Sequence, residues 1–568
     1  MRLKHIGALS LGAVLLASCA GLGRMANKAN TVQYKVTPSP VAQKGDLVPV
    51  EIKGRFPAKY FDKKTSVELT PVLVYGTSEK AFETSTFQGE DFAGNNTVIN
   101  YEQGGAFTIT GNVPFEQAME VADLKVRIKG TRGTKTKVFP LLKIADGTST
   151  TQQLIASDEQ FILAEDRFER ITKHQQRAIL NFLVNSAAVR NSELKDEDVV
   201  ALNAFAKEVA ANEAAEITSV VIEAYASPEG EIRRNEKLAD QRAKSSASRV
   251  VKRAFGKAKL SVEDDKYNFI PKGEDWLGFK EMMQASSISD KELILRILSM
   301  YTDLNKREKE IRNLAATYTE ISEKILPELR RSQITINYQI VGKSDAEILD
   351  LAQNNSLELN VEELLYAATL TDDAAQQLDF FQKAEKQFGD DERASNNIGM
   401  LLYAQGDVAG ARAQFEKSLA IKESKEAQNN LAILNRQAGN TAEALSLYRK
   451  AMGAGEAVKY NTGIAEIQNG EYGKAVANLS GSASANEALA LTLNGDDNGA
   501  KAILDAGNFD ADANALYLTA VVEARLNNGA AAVEALVKAI KLDGSLAEKA
   551  KKDVEFNKIA YLPAFKAL

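Results

Sequence analysis

Cysteine, histidine and tryptophan are nearly missing from this chain: one Cys, two His and one Trp in 568 residues. A lone thiol excludes an internal disulfide and any cysteine-built metal site. Two histidines, His5 and His174, leave almost no material for a His-dependent catalytic triad or a His-rich metal centre. Excess positive charge is missing as well. The net charge of −7 argues against nucleic acid as the partner. No catalytic residue, metal ligand or cofactor is assigned, and the reading is of a non-enzyme. Carboxylate chemistry needs only two acids, so a carboxylate-dependent enzyme stays as the least favoured alternative. What remains is ordinary globular composition, 44% apolar and 26% charged, over a length that suggests about three or four domains.

Residues 1–19 read as a targeting segment. Arg2 and Lys4 precede the apolar run Ile6 to Ala17, which is too short to span a membrane. The run ends Leu16-Ala17-Ser18-Cys19 and resembles a lipobox, with the sole cysteine at the acylated position. The resemblance implies a lipoprotein signal peptide and lipidation at Cys19. Ala20 is not an Asp, and no acidic residue occurs before Asp46. By analogy with bacterial lipoproteins this implies an outer-membrane protein facing the periplasm.

Residues 20–156 are expected to be all β. Leu47 to Lys53, Val67 to Tyr75, Phe107 to Gly111 and Leu124 to Ile128 are rich in β-branched residues or alternate. Lys44-Gly45-Asp46, Gly94-Asn95-Asn96, Gly104-Gly105 and Gly130 to Gly133 supply turns. Short strands at this spacing suggest an immunoglobulin-like β-sandwich acting as a spacer or docking domain.

The stretch Ile222 to Arg249 is the most informative. A strand leads to Tyr225, Ser227-Pro228-Glu229-Gly230 breaks it, and a helix follows with Ala239, Ala243 and Ala247 in a smooth stripe. Asn235, Leu238 and Arg242 share a neighbouring face. Gly230, Asn235, Leu238, Arg242 and Ala243 resemble, in register, the signature of the OmpA-like domain, a peptidoglycan-associating module. The resemblance implies an α/β domain over 160–342. It also implies a clamp in which Arg242 grips a diaminopimelate carboxylate and a loop Asp grips its ammonium. Here that Asp position is Ser227, and Glu229 two residues on is the substitute carboxylate. The peptidoglycan-binding candidates are therefore Arg242, Asn235, Ser227, Glu229 and Leu238; the alternative is that Arg242 pairs with Glu229 or caps the loop. Ala178 to Val184 is the expected first strand, Glu197 to Val209 the first helix, Lys259 to Val262 the third strand and Ile334 to Tyr338 the last. Residues 271–327 form a helical insertion, with helices over Lys291 to Tyr301 and Asn305 to Ile325. Trp276 is expected to pack it.

From about 345 the chain turns Ala-rich and repeats near every 34 residues. Ile398, Gly399, Leu402, Ala411, Phe415 and Ser418 resemble the tetratricopeptide pattern. Leu431, Ala432, Ala444, Tyr448 and Ala451 follow in the next unit. The expectation is an all-α solenoid over 345–568, of roughly five or six units, that folds alone and offers its concave face to partners. Asn396, Asn397, Asn429, Asn430 and Asn461 recur on the first helices. They are groove candidates, or else ordinary surface amides.

The assembled reading is multidomain: β-sandwich, α/β domain with insertion, helical solenoid. It resembles Bacteroidetes-type envelope lipoproteins. That implies a non-enzymatic scaffold holding other envelope proteins in secretion or fimbrial assembly, with weak peptidoglycan association. A plain peptidoglycan tether is the alternative.

Overall fold

A computed structural model describes residues 21–568, so the signal segment and Cys19 lie outside the described residues. The chain forms two compact units. One joins the residues up to Glu165 with Phe381–Leu568; the other is Asp166–Phe380.

The first unit begins with a helical turn over 21–27 whose Leu22, Met25 and Ala26 are buried. One sheet of the sandwich is β1 (Gln33–Thr37), β3 (Leu47–Phe56) and β8 (Gly105–Pro114), in that order and antiparallel. The second sheet runs β2 (Val41–Ala42), β11 (Leu142–Ser149), β9 (Ala122–Arg132), β4 (Ser66–Tyr75), β6 (Ser85–Gly89) and β7 (Thr97–Ile99). Beside these, β5 (Ser78–Ala81) pairs with β4 and β10 (Lys135–Val138) with β9. β9 alternates buried and half-buried positions almost throughout, so one face of every residue pair enters the core. Val50, Ile52, Leu69, Leu73, Leu124 and Val126 meet there.

The helical part of this unit contains five hairpins. Their helices are Glu392–Ala404 with Val408–Ile421, Lys425–Gln437 with Thr441–Ala451, Glu456–Gln468 with Tyr472–Leu479, Ala485–Leu493 with Asp497–Ala506, and Ala513–Arg525 with Gly529–Leu542. Small residues set the spacing within a hairpin. A Cβ added at Gly399 would stand 2.6 Å from the Phe415 ring, and one at Gly463 would stand 2.5 Å from Leu479. The aromatic or leucine fills the room that glycine vacates, and the hairpin closes.

Two expectations change here. The solenoid was to stand alone from 345. Instead, residues 345–380 cluster with the α/β unit, and the sandwich and the hairpins form one compact unit. Polar groups stitch the latter together. Glu555, buried, accepts from Ser149 Oγ at 2.6 Å, Thr151 Oγ1 at 2.9 Å and Arg525 Nη2 at 2.6 Å. Gln152 accepts from the Tyr472 hydroxyl at 2.7 Å.

The second unit holds a four-stranded sheet in the order β12 (Ile171–Asn181), β15 (Arg331–Val341), β13 (Ala215–Ala226), β14 (Tyr267–Glu274). β13 and β14 are parallel and the other pairs antiparallel. Helix α1 (Glu197–Ala211) and helix α2 (Ile232–Ser246) cover it, with Ala239, Ala243 and Ala247 fully buried as the stripe required. The third strand is not at Lys259 to Val262. Lys259 ends a helix in the left-handed region at φ 60°. The strand lies at β14 and includes Pro271. β14 is an edge strand, where a missing N–H costs no ladder bond, so the proline that reads as a strand end sits inside one. The insertion accordingly starts after Glu274. The expected long helix Asn305 to Ile325 is two, Leu304–Arg312 and Ala315–Lys324. Trp276 stacks edge-on against Phe279 and beneath Arg307 within the insertion.

Candidate functional site

The first helices of four successive hairpins carry Asn397, Asn430, Asn461 and Asn486, each almost wholly buried. A buried amide must find partners for both ends. Here the partner is main chain: the segment 155–165, which forms neither helix nor strand. Asn397 Oδ1 accepts the N–H of Ala164 at 2.9 Å while its Nδ2 donates to the Ala164 carbonyl at 3.0 Å. Asn430 does the same to Ile162, at 2.8 and 2.9 Å. Asn461 holds Gln160, at 2.9 and 2.8 Å, and Asn486 holds Ala156, at 3.0 and 3.0 Å.

The first three clamps advance two residues per hairpin, about 7 Å of extended chain. The last advances four. The skipped Asp158 is held through its side chain instead, by the Tyr460 hydroxyl at 2.7 Å and Asn486 Nδ2 at 2.8 Å. Burial pushes the Tyr460 phenol up to about 12, so it stays a donor.

A second tier steadies the first. Asn396 Nδ2 donates to the Ile162 carbonyl and Asn429 Nδ2 to the Gln160 carbonyl. The amides also bond one another: Asn461 to Asn429 at 3.0 Å, Asn430 to Asn396 at 2.9 Å. All five groove candidates therefore grip the chain's own segment, and the concave face at these positions is filled by it. They are neither free partner ligands nor surface amides. Asn486 was missed because its hairpin is short and breaks the period near 34.

Clamps on N–H and C=O ignore side-chain identity. Side chains fix the register. Phe161 lies 4.4 Å from the Tyr403 ring, centroid to centroid, and Glu159 pairs with Arg436. Arg436 Nη2 also donates to Ser157 Oγ at 3.1 Å.

The other candidate set lies in the α/β unit, where β13, its following loop and α2 meet. Arg242 is buried, 1% exposed. Its Nε donates to the Ser186 carbonyl at 3.0 Å, Nη1 to Tyr225 at 2.7 Å and Nη2 to Leu183 at 3.2 Å. Burial, and then Arg330, press its pKa down to about 10, so it remains a cation at neutral pH. All three nitrogens serve backbone. Glu229 pairs with Arg330, at 2.9 Å to Nη2 and 3.1 Å to Nε, and accepts from Ser227 Oγ at 2.6 Å. Asn235 Nδ2 donates to the Glu229 carbonyl at 3.0 Å and to Glu274 at 2.9 Å. Leu238 is buried beneath. The structure thus brings the five residues together at one loop, with Arg242 capping backbone and Glu229 paired to Arg330, the residue just before β15. The insertion reaches the same loop: Glu308 accepts the N–H of Gly230 at 2.7 Å.

A cavity of about 750 Å³ opens between sandwich and hairpins, lined by Pro40, Lys44, Tyr472, Asp497, Arg525 and Glu555 among others. Within its lining Arg525 pairs with both Glu555 and Asp497. Among the described residues no group of His, Cys, Asp and Glu is placed to hold a metal ion, and no helix is long and apolar enough to cross a membrane.

The tetratricopeptide repeat family matches residues 390–457, so the hairpins there are tetratricopeptide repeats. Repeats of this kind are protein-interaction modules, and the chain carries such a scaffold. Solved structures that the chain matches in part include YrrB, described as a TPR protein with an unusual peptide-binding site. It is 23% identical, covering 30% of this chain and 97% of that one, with a TM-score of 0.26. A tetratricopeptide repeat protein from Parabacteroides merdae is 14% identical, covering 43% and 98%, with a TM-score of 0.28. Pseudomonas aeruginosa pilF is 14% identical, covering 36% and 95%, with a TM-score of 0.29. No curated protein matches the chain.

Proposed function

We propose that this chain is a non-enzymatic protein-interaction scaffold, held by lipid at Cys19 on the periplasmic side of the outer membrane, that serves envelope, secretion or fimbrial assembly. The observation that carries the scaffold reading is the asparagine ladder: a rigid, buried row of amides that fixes an extended polypeptide by its main chain. Anchoring rests on the lipobox-like run and the placement of the sole cysteine. Peptidoglycan contributes weakly in this reading, because Arg242 is buried, 1% exposed, with each of its nitrogens already donating to backbone.

Cross-linking followed by affinity capture from membranes tests the scaffold: defined envelope proteins should be recovered with the full chain. Recovery of sacculus fragments alone would favour the tether. Cys19→Ala should move the protein out of the membrane fraction, and its retention there at the wild-type level would remove the lipid anchor from the proposal.

A further inference from the structure

Apart from the Glu165 carbonyl, which accepts from Arg393 Nη1 at 3.3 Å, the main chain of segment 156–165 is held along one edge only. In an extended chain the N–H and C=O of one residue point to one side and those of the next residue to the other. The asparagines take the even-numbered residues Gln160, Ile162 and Ala164. Among the described residues, the N–H and C=O groups of Glu159, Phe161 and Leu163 have no hydrogen-bond partner in the chain. They alternate with clamped residues, so they form a regular open row. Its backbone is already ordered, which removes most of the entropic cost that a loose segment would bring to binding.

We propose that this open row is a strand-addition site: an extended, cation-bearing segment of a partner protein pairs with it as a β-strand inside the repeat groove. Main-chain pairing supplies affinity in such additions, and flanking side chains supply selectivity. The charge of the partner follows from the segment itself. Residues 156–165 carry Asp158, Glu159 and Glu165 and no Lys or Arg. Arg436 offsets Glu159. Asp158 is held by a hydroxyl and an amide, which leave its charge in place. Leu163 is 40% exposed between these acids. A strand alternating apolar and basic residues is complementary to this row. A second copy's own segment is not, because like charges directly opposite each other destabilise a pair. The proposal rests on the scaffold reading and adds to it the place and the chemistry of one partner contact.

Single-residue hydrogen exchange on the full chain tests it, with an alternating lysine–valine hexapeptide as the probe and its glutamate–valine counterpart as control. In the free chain the amides of Gln160, Ile162 and Ala164 should be protected while those of Glu159, Phe161 and Leu163 exchange freely. Saturating lysine–valine peptide should slow the second group at least about tenfold; the control should not. Leu163→Pro removes one open donor and touches no clamp, so it should weaken the peptide at least about tenfold and leave Ile162 and Ala164 protected. Glu165→Lys keeps the backbone intact and should shift preference from the lysine to the glutamate peptide. Open-row amides already protected in the free chain, or peptide binding unchanged in both variants, would overturn the proposal. Protection that rises with protein concentration alone would give the row to a second copy and overturn the choice of partner. Membrane partners captured equally by wild type and Leu163→Pro would leave the scaffold standing and sink the strand-addition site.

Discussion

Asn430 gives both ends of its amide to Ile162 and leaves the neighbouring residues of that segment open on the far side. Arg242, 1% exposed, gives every nitrogen to a carbonyl, those of Leu183, Ser186 and Tyr225, and turns no open face to solvent. Both are buried polar side chains satisfied by the chain's own backbone. The asparagines build an ordered surface out of an otherwise structureless segment. The arginine ties down the ends of β12 and β13, and the loop beside it is latched separately by Arg330 and covered by Glu308. The difference lies in what each set holds. A single extended segment has two edges, and clamping one exposes the other. Three converging carbonyls around one guanidinium leave no second side.

The largest effect should come from removing the arginine. Arg242→Ala would leave three backbone acceptors without their donor and vacate a large buried side chain. An acceptor left unsatisfied costs about 1–3 kcal/mol. Exchange protection of the β13 amides should fall by at least about a hundredfold. Arg242→Lys should recover little, because one ammonium cannot reproduce the planar fork. Unchanged protection would mean the carbonyls do not depend on Arg242, and the contrast with the ladder would fail.

Next comes the ladder. Asn430→Ala leaves the N–H of Ile162 without its acceptor and breaks the bond to Asn396. The expected cost is about 2–3 kcal/mol, read as faster exchange at Ile162, with the repeat helices still formed. Asn461→Ala added to it should cost less than the sum, because the amides bond through one another and lose shared partners once. Strict additivity would show four separate clamps instead of a connected row.

A smaller effect concerns pH at the seam of sandwich and hairpins. Burial pushes the Glu555 carboxyl up, but the Arg525 guanidinium, then Ser149 and Thr151, outweigh it and hold the group below the usual carboxylate range. An acid depressed in the folded state contributes stability that is present above its unfolded pKa of about 4.3 and lost as pH falls through the folded value. Nearby Asp553 is raised by burial and works with the opposite sign. Comparing wild type with Glu555→Gln isolates the first term. Below pH 4 the wild-type advantage in thermal midpoint should shrink toward zero. An advantage that is flat with pH would show that Glu555 acts through packing alone.

The asparagines were legible in the sequence, because the pairs Asn396-Asn397 and Asn429-Asn430 recur 33 residues apart on first helices. What they hold was not legible. Residues 156–165 carry no periodicity, since their main chain is satisfied by side chains more than 200 positions away, and local pattern cannot report that. The stripe Ala239, Ala243 and Ala247 was legible because close approach to a sheet leaves a spacing. The third strand was not, because Pro271 reads as a terminator unless the strand is known to lie at an edge. Arg242 was legible as a buried-face residue beside a loop. That its partners are carbonyls at Leu183 and Ser186 depends on where β12 ends, and the expected strand, Ala178 to Val184, ran past that point.

The smallest expected effect is on cell-wall binding, and it bears on the comparison because it asks whether the loop has any open side. Ser227→Asp restores the acid at the position where the OmpA-like signature carries it. In this chain the Ser227 hydroxyl already donates to Glu229 at 2.6 Å, and Arg330 Nε lies 3.3 Å from it and 3.1 Å from Glu229. A carboxylate introduced there would stand beside Glu229 and compete for one guanidinium, so one of the two acids would be pushed toward its neutral form. Meanwhile Arg242 stays buried with each nitrogen donating to backbone, and Glu308 still occupies the Gly230 amide. Retention of the full chain on isolated sacculi should therefore stay at the low wild-type level, within about twofold. Adding Glu308→Ala frees the Gly230 N–H without touching Arg242, and a charge-assisted hydrogen bond of this kind is worth about 1.5–3 kcal/mol, so any gain should appear only in the double variant. Strong wild-type retention that free diaminopimelate competes away would show an open ligand site at this loop and erase the distinction from the ladder.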